Sequence, residues 1–289
     1  MNRTVYLNGE FMASSDAHVG VYNAGWLHGA GLFETMRAEN RRVFRLDHHL
    51  HRLCASAKQL LTPVDRALLP AAETLEQLLE RNGLTEARVR LTVSAGSVIE
   101  ADEMQERPFT VCATAVPLVP YPERLYRTGV AVLISKYRQS KHDPLTGHKT
   151  TSYLPRLIAV KQARQAQCTE ALWFTPENLL AEGSISNVFI VSGSVVATPP
   201  IDTPVLPGIA RGVVLELCAA QGIKAQQRAI DVDDLFDADE VFLTNTIMQV
   251  MPVNRVEKRD IGGGRPGPVA KGLLEQYRKR VAQECGTDG

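Results

Sequence analysis

Cysteine is scarce in this chain and follows no pattern: Cys54, Cys112, Cys168, Cys218 and Cys285 are odd in number and never spaced as Cys-x-x-Cys. That excludes a disulfide framework and a zinc site, and leaves the five as reduced fillers of cores and helix faces. An excess of either charge is also lacking, with 32 Lys plus Arg against 32 Asp plus Glu, so no net field exists to hold a nucleic acid or an anionic membrane surface. No apolar run approaches the roughly 20 residues of a membrane span, and the stretch Met1 to Gly9 carries no signal-peptide core. A cytoplasmic protein is expected. Gly-x-Ser-x-Gly and Walker loops are missing, which removes the support for hydrolase and phosphotransferase readings. His48, His49 and His51 stand at i, i+1 and i+3 with only Asp47 beside them, a spacing that does not converge on one ion from a helix. No metal is expected.

What is present is ordinary globular composition, 44% hydrophobic and 22% charged over 289 residues, a length that suits two domains at about 100–200 residues each. Thr4 to Ala13 alternates apolar and polar residues around Asn8-Gly9, the strongest short hairpin signal. Leu46, Leu50, Leu53, Ala57 and Leu60 recur at helical spacing from Leu46 to Leu61, and a second helix carries Leu68, Leu75, Leu78 and Leu79 before stopping at Asn82-Gly83. Ala87 to Ser94 and Phe109 to Val116 have the β-branched character of strands. Pro117, Pro120 and Pro122 crowd six positions, which neither helix nor central strand tolerates. The reading is an α+β N-terminal domain over 1–118 and an α/β C-terminal domain over 119–289. The second is read as strands at Val130 to Ser135, Ala171 to Phe174, Asn187 to Val191 and Val241 to Thr244. Its helices fall at about Tyr153 to Gln167, after Pro207-Gly208, and near Val269 to Ala282. Gly262 to Gly267 matches Gly-x-Gly-x-x-Gly in letters only; no strand runs straight into it and Pro266 marks a turn, so it reads as a loop.

Several short stretches make chemical sense together for an aldehyde cofactor with a pyridine ring and a phosphate. The carbonyl needs an amine, and Lys149, in Gly147-His148-Lys149-Thr150-Thr151-Ser152-Tyr153, sits where an irregular loop enters a helix. The ring nitrogen needs a carboxylate to stay protonated, and Glu182 lies just before a strand among small residues, in Glu182-Gly183-Ser184-Ile185-Ser186-Asn187. The phosphate needs positive charge and exposed N–H groups. Leu206-Pro207-Gly208-Ile209-Ala210-Arg211 offers the N–H groups of Ile209 and Ala210 at a helix start, and Arg52 and Thr246 add a guanidinium and a hydroxyl. Taken singly, these are a solvated lysine, a turn acid, a capped helix, a helix-face arginine and a strand-end threonine.

In their order along the chain the same stretches resemble the class IV pyridoxal-phosphate enzymes, the family of branched-chain aminotransferases, D-amino acid aminotransferases and aminodeoxychorismate lyases. Gly31-Leu32-Phe33-Glu34-Thr35-Met36-Arg37 is similar to that family's N-terminal pocket segment, His51-Arg52-Leu53 with Ser56-Ala57-Lys58 to its arginine helix, and Thr244 to Val253 to its phosphate segment. The resemblance implies a fold-type IV, D-amino acid aminotransferase-like α/β enzyme with pyridoxal 5'-phosphate as cofactor. It implies Lys149 as the catalytic Schiff-base lysine and proton carrier, Glu182 at the pyridine nitrogen, Tyr153 at the ring hydroxyl and Leu206 packed on the ring. Arg52, Ile209, Ala210 and Thr246 would hold the phosphate. The family more often has Thr where this chain has Ala210, which keeps the backbone donor and removes a hydroxyl. Phe33, Thr35 and Arg37 are implied to line the substrate side. A homodimer of two-domain subunits acting on a small-molecule amino substrate completes the expectation.

Within the family, Leu60-Leu61-Thr62-Pro63 stands where branched-chain aminotransferases resemble one another through a Tyr-Arg-Phe-Pro-like stretch. Val93-Ser94-Ala95-Gly96 stands where D-amino acid aminotransferases typically carry a Thr-Arg-Gly whose arginine binds a carboxylate. Asn245 to Val253 looks closer to the lyase pattern. The reading therefore favours 4-amino-4-deoxychorismate lyase, which releases 4-aminobenzoate and pyruvate in folate-precursor synthesis. The alternative is an aminotransferase for D-amino acids or branched-chain L-amino acids with 2-oxo acid acceptors. A second alternative, a non-catalytic cofactor-binding protein, has no need of a carboxylate at the ring nitrogen.

Overall fold

A computed structural model describes residues 3–96 and 109–286. The chain groups into two compact units, one of residues 1–119, 148–153 and 281–289, the other of residues 120–147 and 154–280.

In the first unit, β1 (Thr4–Leu7) and β2 (Glu10–Ala13) form the expected hairpin, with Asn8 and Gly9 at φ of 52° and 99°, positive at both turn residues as the strand twist demands. A short helix α1 (Ala24–His28), capped by the Asn23 side chain, leads to β3 (Gly31–Glu39), β4 (Arg42–Val43), α2 (Leu46–Gln59), α3 (Ala72–Arg81), β5 (Ala87–Ala95) and β6 (Phe109–Pro117). The second helix starts later than its leucine pattern predicts. Pro70 holds Leu69 extended at ψ 147°, and Leu68 falls in a separate turn before it. The strands order as β2-β1-β6-β5-β3-β4, all antiparallel.

Side chains alternate faces along a strand, so Leu32, Met36 and Ala38 of β3 share a face with Val89, Leu91 and Val93 of β5. They are buried with Leu50, Leu53 and Ala57 of α2 and Leu75, Leu78 and Leu79 of α3. Each such leucine contributes about 2 kcal/mol by leaving water. The opposite face carries Phe33, Thr35 and Arg37 beside their register partners Thr92, Arg90 and Arg88. Residues 148–153 pair with the free start of β3: Phe33 N donates to Lys149 O at 2.9 Å and Thr151 N to Gly31 O at 2.8 Å. The linear reading places this stretch with 119–289; its hydrogen bonds to β3 group it with the first unit instead.

The second unit holds α4 (Glu123–Thr128), β7 (Val130–Arg138), α5 (Leu154–Gln165), β8 (Glu170–Phe174), β9 (Leu180–Gly183), β10 (Asn187–Ser192), β11 (Val195–Thr198), α6 (Ile209–Ala220), β12 (Lys224–Gln227), α7 (Val232–Phe236), β13 (Glu240–Asn245), β14 (Gln249–Val256) and β15 (Arg259–Asp260). A last helix, α8, spans Pro268–Cys285. Nine strands form a mixed sheet in the order β12-β11-β10-β13-β14-β7-β8-β9, with β15 added on β14. Its β8, β10 and β13 read as continuous apolar runs because both faces are covered. Register partners Phe189 and Phe242 stack at 4.9 Å between centroids. Gly262, Gly263 and Gly264 all take positive φ in a short turn, the loop their sequence predicts.

All five cysteines are free. Among the described residues no helix is long and apolar enough to cross a membrane, and no group of His, Cys, Asp and Glu is placed to hold a metal ion.

Candidate active site

The pairing with β3 fixes where Lys149 can reach. Lys149 lies opposite Phe33, so both side chains project to the same face, and Lys149 Nζ stands 4.6 Å from the centre of the buried Phe33 ring. Tyr153 meets Phe33 edge-on at 5.2 Å and lies 5.8 Å from the same Nζ. The guanidinium of Arg90, reaching across from β5, covers the Phe33 ring at 3.8 Å. An amine, a phenol and a guanidinium are thus gathered around one aromatic ring. Thr35 follows on that face, and Arg37 turns to Glu39, with Nε 2.6 Å from its carboxylate.

Glu34, the neighbour of Phe33, points to the opposite face, where α2 packs. Its carboxylate takes Arg52 Nε at 2.8 Å and Nη2 at 2.5 Å, and His49 Nδ1 at 2.8 Å. Burial works against the Glu34 charge, but Arg52 and His49 outweigh it and hold its pKa down to about 2. Burial keeps His49 below the usual histidine range in spite of Glu34. A neutral His49 therefore donates from Nδ1 and leaves Nε2, buried and without a partner, as a bare acceptor. His48 and His51 are exposed, so the histidine cluster divides into a buried strut and two surface residues. One turn beyond Arg52, the buried Ser56 hydroxyl meets His148 Nδ1 at 3.0 Å. The expected phosphate arginine is thus preorganised, with one edge of its fork already committed to Glu34.

In the second unit Glu182 is the penultimate residue of β9, and its side chain is buried to 3% exposure. Oε1 accepts from Arg156 Nη2 at 2.6 Å and Gln139 Nε2 at 2.9 Å, while Oε2 accepts from Leu206 N at 3.0 Å and Asn187 Nδ2 at 3.3 Å. A carboxylate offers about four lone-pair sites, and all four are answered. A ring N–H would share Oε2, where the contacts are the longer pair. Glu170 lies beneath the next turn and accepts from Ala171 N, Ser184 N and Ser186 Oγ. Burial nevertheless pushes its pKa up to about 7.

Gly208 caps α6 with extended backbone, and a Cβ there would collide with Asn187 Oδ1; this close approach is why the position is glycine. Ile209 and Ala210 begin the helix, where N–H groups have no partner within the helix and the dipole favours an anion. Thr246 sits in the turn between β13 and β14. That turn is closed by Asn245 Oδ1, which accepts from Ile247 N at 2.9 Å and Met248 N at 2.8 Å, while Asn245 Nδ2 donates to Ile185 O at 3.1 Å.

The structure therefore gathers Phe33, Lys149 and Tyr153 in the first unit with Thr35 beside them, and sets Arg52 on the other face of β3. In the second unit it joins Glu182 to Leu206 directly and to Gly208 through Asn187. Each unit by itself carries groups whose chemistry fits pyridoxal phosphate: the first a half-buried amine and a buried guanidinium, the second a buried carboxylate and an open helix start. Sequence reasoning missed Arg90, Gln139 and Arg156. Alternation along β5 puts Arg90 on the Phe33 face and was legible; nothing local marks the other two, which lie 43 and 26 residues from the carboxylate they bind.

Comparison with known proteins shows what the chain is similar to. The family described as amino-transferase class IV matches residues 31–256. The D-alanine aminotransferase of Bacillus licheniformis is 29% identical, covering 97% of this chain and 98% of its own. The aminodeoxychorismate lyase of Bacillus subtilis (strain 168) is also 29% identical, over 96% of this chain and 94% of its own. Among solved structures, the T.th. branched-chain amino acid aminotransferase with pyridoxamine 5'-phosphate superposes with a TM-score of 0.87 at 29% identity, covering 98% of this chain and 95% of the other.

Proposed function

We propose that this chain, which belongs to the class IV aminotransferases and is an enzyme that uses pyridoxal phosphate, moves the amino group of a carboxylate-bearing amino acid to a 2-oxo acid. The observation that carries the reading is the pair of cations on Phe33. Lys149 Nζ lies at 4.6 Å and the Arg90 guanidinium at 3.8 Å from one ring, so a reactive amine has a positive charge beside it to orient a substrate carboxylate. The related D-alanine and branched-chain enzymes both act on such substrates by name.

Pyridoxal phosphate supplies, when bound, a carbonyl for the amine and an electron sink for the bond broken at the α-carbon. Lys149 would be that amine, and its Nζ would carry the proton away from that carbon. Glu182 would face the ring nitrogen, Tyr153 would serve the ring hydroxyl, and Leu206 would pack on the ring. The N–H groups of Ile209 and Ala210 would serve the phosphate, as would the Arg52 guanidinium and the Thr246 hydroxyl. Phe33, Thr35 and Arg37 shape the substrate side. Residues Val19, Val21, Tyr22, Trp26 and Leu27 are exposed apolar side chains within nine positions, Trp26 at 77%, and supply the contact for a homodimer.

A second reading, aminodeoxychorismate lyase, is favoured by the Asn245 to Val253 segment, whose turn is held by Asn245 as described above, and by the Bacillus subtilis relative. One experiment separates the two. The cofactor-loaded protein is given L- and D-amino acids with 2-oxoglutarate in one series and aminodeoxychorismate in another. Keto acid formed from an amino donor supports the aminotransferase; pyruvate and 4-aminobenzoate without transamination overturn it in favour of the lyase.

A further inference from the structure

We infer that Arg156 is a positioning residue: through its ion pair with Glu182 it fixes that carboxylate and divides its charge, so a pyridine nitrogen facing Glu182 holds its proton less firmly than against an unpaired acid. This rests on the proposal that Glu182 serves the ring nitrogen.

Arg156 stands in the first turn of α5 and is held on every side. Nη1 donates to Gly183 O and Ser184 O, each at 3.2 Å, and Nη2 to Glu182 Oε1 at 2.6 Å and Gln139 Oε1 at 3.2 Å. The guanidinium carbon lies 5.5 Å from the centre of the Trp173 ring. The planar fork reaches two carbonyls and a carboxylate at once, whereas the effect on the Glu182 charge needs only a cation at that place. Among the described partners of Glu182, Gln139 after β7, Asn187 on β10 and Leu206 N are neutral, and Arg156 alone is charged. The nearby acid Glu170, on β8, binds the turn that follows rather than Glu182. The shortest of the four contacts to Glu182 is thus a charge-assisted one. A cation this close lowers the effective negative charge that any further donor meets.

The test reads the ring nitrogen itself. Protein loaded with isotopically labelled pyridoxal phosphate is titrated by nitrogen NMR as native, Arg156→Met, Arg156→Lys and Glu182→Gln forms. The inference expects Arg156→Met to move the ring-nitrogen titration upward by about one pH unit or more, and Arg156→Lys to stay near native. A native-like titration in Arg156→Met, with Glu182→Gln displaced, overturns the inference and leaves the role of Glu182 standing. An equal shift in the Lys and Met variants also overturns it, since charge would not be the cause. An undisplaced Glu182→Gln overturns the ring-nitrogen reading and this inference with it. Should Arg156→Met not fold, Arg156→Gln, which keeps a donor for the Gly183 and Ser184 carbonyls, carries the same comparison.

Discussion

Glu34 and Arg52 form a two-point ion pair under β3, with Nε and Nη2 of the guanidinium on separate carboxylate oxygens at 2.8 and 2.5 Å. Both side chains are buried, at 1% and 9% exposure. The pair ties α2 to β3 and holds the guanidinium in place rather than leaving it a mobile surface cation.

Its first consequence is acid sensitivity. The folded Glu34 has a pKa of about 2 against an ordinary 4.5, so its stabilisation is present above pH 4.5 and is lost as the pH falls through 2. The depression corresponds to about 3 kcal/mol. Denaturant unfolding followed from pH 5 to pH 2 should show that loss, and Glu34→Gln should show a flatter acid limb. At neutral pH the same variant strands a buried guanidinium and should cost about 3–5 kcal/mol; native stability there would contradict the strut.

Glu170 has the opposite sign. Burial raises its pKa from 4.5 to about 7, so between these values the folded protein keeps a proton that the unfolded chain releases, and stability falls as pH rises across that window. The span is worth about 3 kcal/mol. Glu170→Gln keeps an acceptor for Ser184 N and should flatten the decline between pH 5 and 7. Parallel pH profiles for native and variant would remove Glu170 as its source.

Lys149→Ala should abolish turnover and the visible absorbance of bound cofactor. The fold should survive, because the Phe33 N to Lys149 O bond is made by the backbone. A melting temperature near native with no activity is the expected result; an undiminished rate would remove Lys149 from the chemistry.

Arg90→Gln should raise KM for the amino acid donor by about 10–100-fold, the loss of one charge-assisted contact of roughly 1.5–3 kcal/mol, with a smaller change in kcat. An unchanged KM would mean that the cation on Phe33 does not meet the substrate carboxylate.

Much of the local structure around the candidate site was legible because it is written in short-range signals. Pro207-Gly208 before an apolar run reads as a helix start, and α6 begins at Ile209. Asn8-Gly9 reads as a hairpin and forms one. Strand β3 is hidden from such reading: Gly31 to Glu39 does not alternate strictly, because Glu34 turns inward toward Arg52 and His49. An inward charge looks polar to any pattern until its partners, 15 and 18 residues away, are known.

Taken alone, then, the sequence pointed to the family, and through it to the cofactor, by a series of short motifs in a fixed order, and it marked Lys149 and Glu182 as candidates by type and neighbourhood. The tertiary structure decided the rest. It laid 148–153 along the edge of β3, which aims Lys149 at Phe33, and brought Arg90, Gln139 and Arg156 to their partners. Strand register and helix packing set those meetings, and both depend on burying apolar faces contributed by distant parts of the chain.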